Sequence, residues 1–286
     1  MTSDQSASVE PVTHYENFPV ASWLCPPRLR PAVAAIYWFA RTADDIADEG
    51  EASPSARLQS LADYRRDLRA MAPGRPASAR WPRVFGPLGR IARDFRLPIA
   101  LLEQLLDAFE QDVRFTAAGR RYRDDAELLD YCTRSANPVG RLLLHLYGIG
   151  DEASLRQSDQ ICSALQLINF WQDLSVDLPR ARWYPSQQTM QRHAVQDTDL
   201  QADAPSGKAA GLVAHYAANA RAMMQNGSAL ACRIPGRAGW ELRLAVQGGL
   251  RILDKMEAMN FATWRARPRL GLRDVPVLVW RAWRMG

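Results

Sequence analysis

Three observations on this 286-residue chain predict an all-α fold. Apolar residues recur at three- and four-residue spacing along most of it, and no segment sustains the alternation of a strand. Hydrophobic residues make up 47% of the chain, ample for one large core. Two aspartate pairs, Asp44 with Asp48 and Asp173 with Asp177, stand at i,i+4 in otherwise apolar helical stretches. At that spacing the two carboxylates of a pair share one helix face, about 40° apart. The expectation is a disordered tail over 1–13 and a single helical domain over 14–286, a bundle around a central cavity.

Pro31, at a favoured first helical position, opens a long helix that Gly50 stops. Its inward stripe of Val33, Ile36, Tyr37, Ala40 and Ala43 continues through Asp44, Ala47 and Asp48. Arg57 to Met71 is a second amphipathic helix. Residues 72–83 carry three prolines and a glycine and read as a connecting loop. Ile99 to Thr116 is helical. Asp124 and Glu127 resemble a capping box for a helix through Tyr131 towards Tyr147. Asn137-Pro138 breaks that helix, as a tolerated kink or as an unwound segment facing a cavity.

The second aspartate helix covers about Leu155 to Leu178 and stops at Pro179. Tyr184 to Ser206 is polar and loop-like, placed where a lid could lie. Helices follow near Ala209–Ala231 and Arg237–Asn260. Asp274 to Arg284 alternates apolar and basic residues and includes Trp280 and Trp283. It reads as a terminal helix packed on the body, with a membrane-surface contact as the alternative.

Net charge is +5, yet the basic residues include only two lysines, Lys208 and Lys255, and the arginines are scattered. No nucleic-acid partner is expected from that pattern. A mildly basic surface suits diphosphates and anionic membranes. Cys25, Cys132, Cys162 and Cys232 form no CxxC, so reduced thiols are the default. The first eleven residues lack the apolar core of a secretory signal, and no stretch approaches the ~20 apolar residues that span a bilayer. A cytoplasmic location is expected, with contact at the inner membrane surface left open.

Around the second pair, only Gln166, Asn169, Asp173 and Asp177 interrupt an apolar surface. Carboxylates in such surroundings are costly unless a cation neutralises them. An all-oxygen donor set without Cys or His suits Mg2+, usually shared with a substrate phosphate. The residues alone therefore point to a diphosphate held through Mg2+ between two facing helices.

Four motifs occur in order: His14-Tyr-Glu-Asn-Phe-Pro-Val-Ala-Ser22, Phe39-Ala-Arg-Thr-Ala-Asp-Asp-Ile-Ala-Asp-Glu49, Tyr131-Cys-Thr-Arg-Ser-Ala-Asn-Pro-Val-Gly-Arg141 and Gln166-Leu-Ile-Asn-Phe-Trp-Gln-Asp173. With Gly248-Gly-Leu-Arg-Ile-Leu-Asp254 they resemble the squalene/phytoene synthase family, from about His14 to Pro268, in a form similar to its hydroxysqualene-forming branch. The resemblance implies a class I isoprenoid synthase fold. The implied reaction is Mg2+-dependent conversion of presqualene diphosphate and water to hydroxysqualene and pyrophosphate, with no NADPH. By the same resemblance Asp44, Asp48, Asn169, Asp173 and Asp177 would hold the metal, and Asp45 and Gln166 stand beside them. Arg41, Arg141, Arg182, Asn17 and Phe18 would meet substrate. Tyr131 would lie near the breaking C–O bond, and Asn137 is the candidate for orienting the capturing water.

The chain departs from the family pattern at three places. Gln172 stands where many relatives carry Arg, Gly248-Gly249 where some condensing relatives carry Tyr, and Pro185 directly follows Arg182-Trp-Tyr184. Head-to-head condensation of farnesyl or geranylgeranyl diphosphate is the main alternative. A terpene cyclase would also satisfy Asp44-Asp-Ile-Ala-Asp48, and a degenerate scaffold protein would not need all four principal aspartates.

Overall fold

The computed structural model describes residues 25–71, 77–201 and 206–285. The expected tail, the His14 motif, Asn17 and Phe18 lie outside the described residues. Every regular element among those described is a helix.

The first four long helices are α1 (Arg30–Asp48), α2 (Pro54–Met71), α3 (Pro82–Phe95) and α4 (Ile99–Ala118). They enclose one core in which Phe39 of α1 stacks on Tyr64 of α2 at 5.1 Å between centroids. The sequence does not announce α3, because Gly86, Pro87 and Gly89 all disfavour helix. Val84, Phe85 and Leu88 outweigh them by burying one face, and Phe85 lies 4.8 Å from the Tyr64 ring.

The chain continues as α5 (Asp125–Ser135), α6 (Asn137–Leu146), α7 (Glu152–Gln172) and α8 (Leu174–Asp177). Asp124 caps α5 by accepting from the Glu127 backbone N–H, and the Glu127 carboxylate accepts in return from the Arg123 N–H. The break ahead of Asn137-Pro138 falls at Ala136, with φ −120° and ψ −47°. The second aspartate helix does not run unbroken to Leu178. It ends at Gln172, and Asp173 leaves helical geometry at φ −99°, ψ 11° before α8 restarts.

Residues 184–201 are more regular than their polarity suggests, and contain α9 (Gln187–Arg192) and α10 (Asp197–Gln201). Ser186 Oγ and Thr189 Oγ1 donate to the two oxygens of Asp125, at 2.6 and 2.9 Å, tying this segment to the start of α5. Polarity here serves internal hydrogen bonds, whereas a loop reading assigns it to solvation.

The second core gathers around α7, α11 (Gly207–Gly227), α12 (Ala229–Arg233) and α13 (Gly236–Ala258), and α14 (Val275–Trp283) packs on α13. Gly249 brings α13 close to its neighbours. A Cβ there would stand 2.9 Å from Met224 Cε, 3.1 Å from Leu165 Cδ2 and 3.2 Å from Ile168 Cδ1. Gly249→Ala is expected to be net destabilising by no more than about 1 kcal/mol, since the Met224 terminus can swing aside but Leu165 and Ile168 must also give way, against a gain in helix propensity. Urea denaturation checks this, and a raised midpoint would mean that the contact relaxes freely.

Candidate active site

Asp44 and Asp48 leave α1 on the face set by the buried Ala43 and Ala47, and enter the space between the two cores. An inner cavity of about 220 Å3 is lined by both aspartates, Phe109, Asp112 and Phe115 of α4, Tyr122, Tyr131, Gln166 and the run Arg182 to Tyr184. An outer cleft of about 840 Å3 shares Asp44, Asp48, Asp112 and Arg182, and adds Arg41, Arg57 and Arg180. The two spaces share their carboxylates and Arg182, and the smaller one sets six aromatic side chains and Arg120 beside them.

Arg182 is the cation at the centre of this charge arrangement. Its Nη2 lies 2.7 Å from Asp48 Oδ1, and its charge also reaches Asp44, Asp112 and Asp177. Arg41 sits one turn before Asp44 and Asp45, and contacts Asp45 at 2.8 Å and Glu49 at 2.9 Å. These pairs leave negative charge incompletely balanced. Burial, reinforced by Asp48, raises Asp44 to about 6. Burial, reinforced by Asp173, raises Asp177 to about 7.

The second pair lines neither cavity wall. Asp177 is buried at 9% exposure, within electrostatic reach of Asp48 and Arg182. Asp173 pairs with Arg267, whose Nε lies 2.5 Å from its Oδ1. Gln172 explains how Arg267 is delivered. Its side chain is fully buried and its Nε2 donates to the Pro268 carbonyl at 2.6 Å, while Ser175 N donates to the Thr263 carbonyl. Gln172 therefore anchors the segment that supplies Arg267.

Tyr131 is buried and its hydroxyl donates to Asp112 Oδ2 at 2.7 Å. Burial raises Asp112 to about 7, against the lowering effect of that hydrogen bond, and holds Tyr131 well above the usual phenol range. Tyr184 stacks on Phe170 at 3.6 Å, and Tyr122 lies edge-on to Tyr131 at 5.9 Å, so the chamber walls support one another.

Asp44, Asp48, Gln166, Tyr131 and Arg182 therefore meet at one cavity, and Arg41 and Asp44 meet at its mouth. Asn137 and Arg141 line neither space. Asn137 Oδ1 accepts from Ser163 Oγ at 2.8 Å, and Arg141 forms a two-pronged pair with Asp159 at 2.9 and 2.6 Å, so both visible contacts join α6 to α7. Asp112 and Arg267 are not singled out by the sequence reading. A signal for Asp112 exists, since Leu101, Leu105, Ala108 and Asp112 follow helical spacing just as Asp44 follows its stripe. Arg267 carries none, because its pairing depends on a chain crossing.

The donor set fits Mg2+. It is all oxygen, and burial, reinforced by a neighbouring carboxylate, raises both Asp44 and Asp177, a cost that a cation would relieve. Among the described residues no three Asp, Glu, His or Cys side chains converge into an all-protein metal cage. A cation here would complete its shell with water and phosphate oxygens, as Mg2+ does.

The squalene/phytoene synthase family profile matches residues 12–280. The chain belongs to that family. It is 31% identical to a hydroxysqualene synthase of Sinorhizobium fredii over 98% of this chain and 91% of that one. It is 28% identical to a presqualene diphosphate synthase of Rhodopseudomonas palustris, over 93% and 94% of the two chains. A crystal structure of a squalene synthase from Alicyclobacillus acidocaldarius superposes with TM-score 0.78 at 30% identity, covering 87% of this chain and 90% of that one. The expected all-α isoprenoid synthase fold is thereby established, and the protein is an enzyme of this family.

Proposed function

We propose that the enzyme converts presqualene diphosphate and water to hydroxysqualene and pyrophosphate, without a reductant. The observation that carries this reading is the near full-length similarity to a hydroxysqualene synthase, joined to a cavity in which carboxylates, arginines and aromatic side chains meet. Asp44, Asp48, Asp173 and Asp177, with Asn169, would hold Mg2+, which neutralises diphosphate charge when bound. Arg41, Arg180 and Arg182 present fixed donors to the phosphate oxygens, so the C–O bond can break with its electron pair leaving on pyrophosphate. Phe109, Phe115, Tyr122 and Tyr184 exclude bulk water and turn aromatic faces towards the cation that remains. One water then adds its oxygen and releases a proton. Tyr131, fixed by Asp112, stays a neutral phenol near the breaking bond.

The similarity to a presqualene diphosphate synthase favours a second reading, in which two prenyl diphosphates are joined. Incubation in 18O-labelled water separates the two. Presqualene diphosphate is expected to be consumed without NADPH, and the alcohol to carry the label. Unlabelled product, or efficient consumption of farnesyl diphosphate alone to a C30 or C40 product, would assign the enzyme to condensation.

A further inference from the structure

The C-terminal helix α14 and the turn before it carry an apolar face left open by the described residues. Leu272 is 91% exposed, and Val275, Val279, Trp280 and Trp283 follow at 49, 47, 53 and 65%. Counted from Leu272, successive steps of three, four, one and three residues place them along one side of the helix. The rest of the circumference is used internally: Ala282, at the edge of this face, is fully buried, and Arg281, opposite it, pairs with Asp254 of α13 at 2.7 Å. Such a contiguous set of large apolar side chains marks an interaction surface, whereas single exposed ones do not.

The charge around this face selects its partner. Residues 265–284 hold six arginines and one acid, Asp274, which Arg251 and Lys255 already neutralise at 2.8 and 2.7 Å. Arg267 and Arg281 are engaged with Asp173 and Asp254. Arg265, Arg269, Arg273 and Arg284 are exposed and have no ion pair among the described residues. The Arg284 guanidinium lies 4.9 Å from the Trp280 ring centroid, so one cation stands directly against the apolar face. Two tryptophans bordered by such arginines suit the boundary between acyl chains and anionic headgroups, where an indole buries its ring and keeps its N–H wet. No helix among the described residues is long and apolar enough to cross a membrane, so the contact made by this face is interfacial.

We propose that the α14 face, centred on Trp280 and Trp283, docks the enzyme on the surface of an anionic lipid bilayer. The proposal stands apart from the choice of reaction, since none of these residues lines the catalytic cavities. It is tested by cosedimentation of the full chain with vesicles of phosphatidylcholine alone or mixed with phosphatidylglycerol. Wild type is expected to bind the mixed vesicles, and to bind them less as salt is raised. Trp280→Ser/Trp283→Ser should weaken partitioning by about tenfold or more, because it removes the apolar anchor. Arg273→Gln/Arg284→Gln should abolish the preference for anionic vesicles while leaving residual binding. Both double variants should keep the wild-type melting temperature and their turnover of detergent-dispersed substrate, since they alter exposed side chains only. Equal binding by wild type and the tryptophan variant would overturn the proposal. So would absence of vesicle binding, including a wild type that is dimeric in solution and becomes monomeric in the tryptophan variant.

Discussion

Asp44→Asn and Asp173→Asn are each expected to lower turnover by roughly 10^3-fold or more while the fold survives. Each substitution keeps the side-chain shape and deletes one negative charge from the set that would hold Mg2+. The stability effect runs the other way for Asp44. Its folded pKa of about 6 lies above the ordinary carboxylate value of 3.8, so the folded protein binds this proton more tightly than the unfolded chain. Without metal, the native state is therefore penalised progressively as pH rises from about 4 to 6, and the penalty is complete above that range. The neutral amide removes it. The metal-free Asp44→Asn protein should melt at or above wild type at pH 8 and level with it near pH 4. Pyrophosphate release and calorimetry provide the two readouts. Substantial turnover by either variant, or wild-type turnover that survives EDTA, would refute a cation at these residues.

The aspartate pairs are legible in the sequence because helical periodicity is local: a carboxylate that falls on an apolar stripe advertises its own cost. The same logic reaches Pro31 as a helix start and Asp124 as a cap, and the structure contains both. It fails where distant segments decide. Helix α3 exists because Phe85 fills a space beside Phe39 and Tyr64, which no local pattern of Gly86, Pro87 and Gly89 could reveal. The polar stretch after Tyr184 is held by Asp125, some 60 residues earlier in the chain. In sequence Gln172 is only a departure from the family pattern. Its hydrogen bond to the Pro268 carbonyl holds the segment that brings Arg267 to Asp173. The hydrogen bond that Asn137 Oδ1 accepts from Ser163 Oγ, 26 residues later, is likewise set by the packing of α6 on α7 and has no local signal. Local spacing locates the carboxylates, and tertiary contacts decide which cations answer them.

Arg182 is where the two helices' charges converge, and Arg182→Gln is expected to fail in catalysis and in stability together. Loss of a preorganised donor facing a developing diphosphate should reduce turnover by about 10^2–10^3-fold. Arg182→Lys should recover only part of that, because an ammonium cannot reproduce the planar fork. In the native protein Arg182 contacts Asp48 and opposes the raised pKa values of Asp44, Asp112 and Asp177. Removing it pushes those three carboxyl groups further above about 6, 7 and 7. Their ionised forms then burden the folded state most above pH 7, and protonation relieves the burden as pH falls. The melting temperature of Arg182→Gln should therefore drop below wild type at pH 8 and approach it at pH 6, opposite in sign to Asp44→Asn. The combination Asp44→Asn/Arg182→Gln discriminates further. It should regain melting temperature at pH 8, since one unopposed carboxylate has gone, and should remain inactive, since both the cation ligand and the phosphate donor are missing. A double variant as unstable as Arg182→Gln alone would show that Arg182 acts through packing at the cavity wall and not through charge.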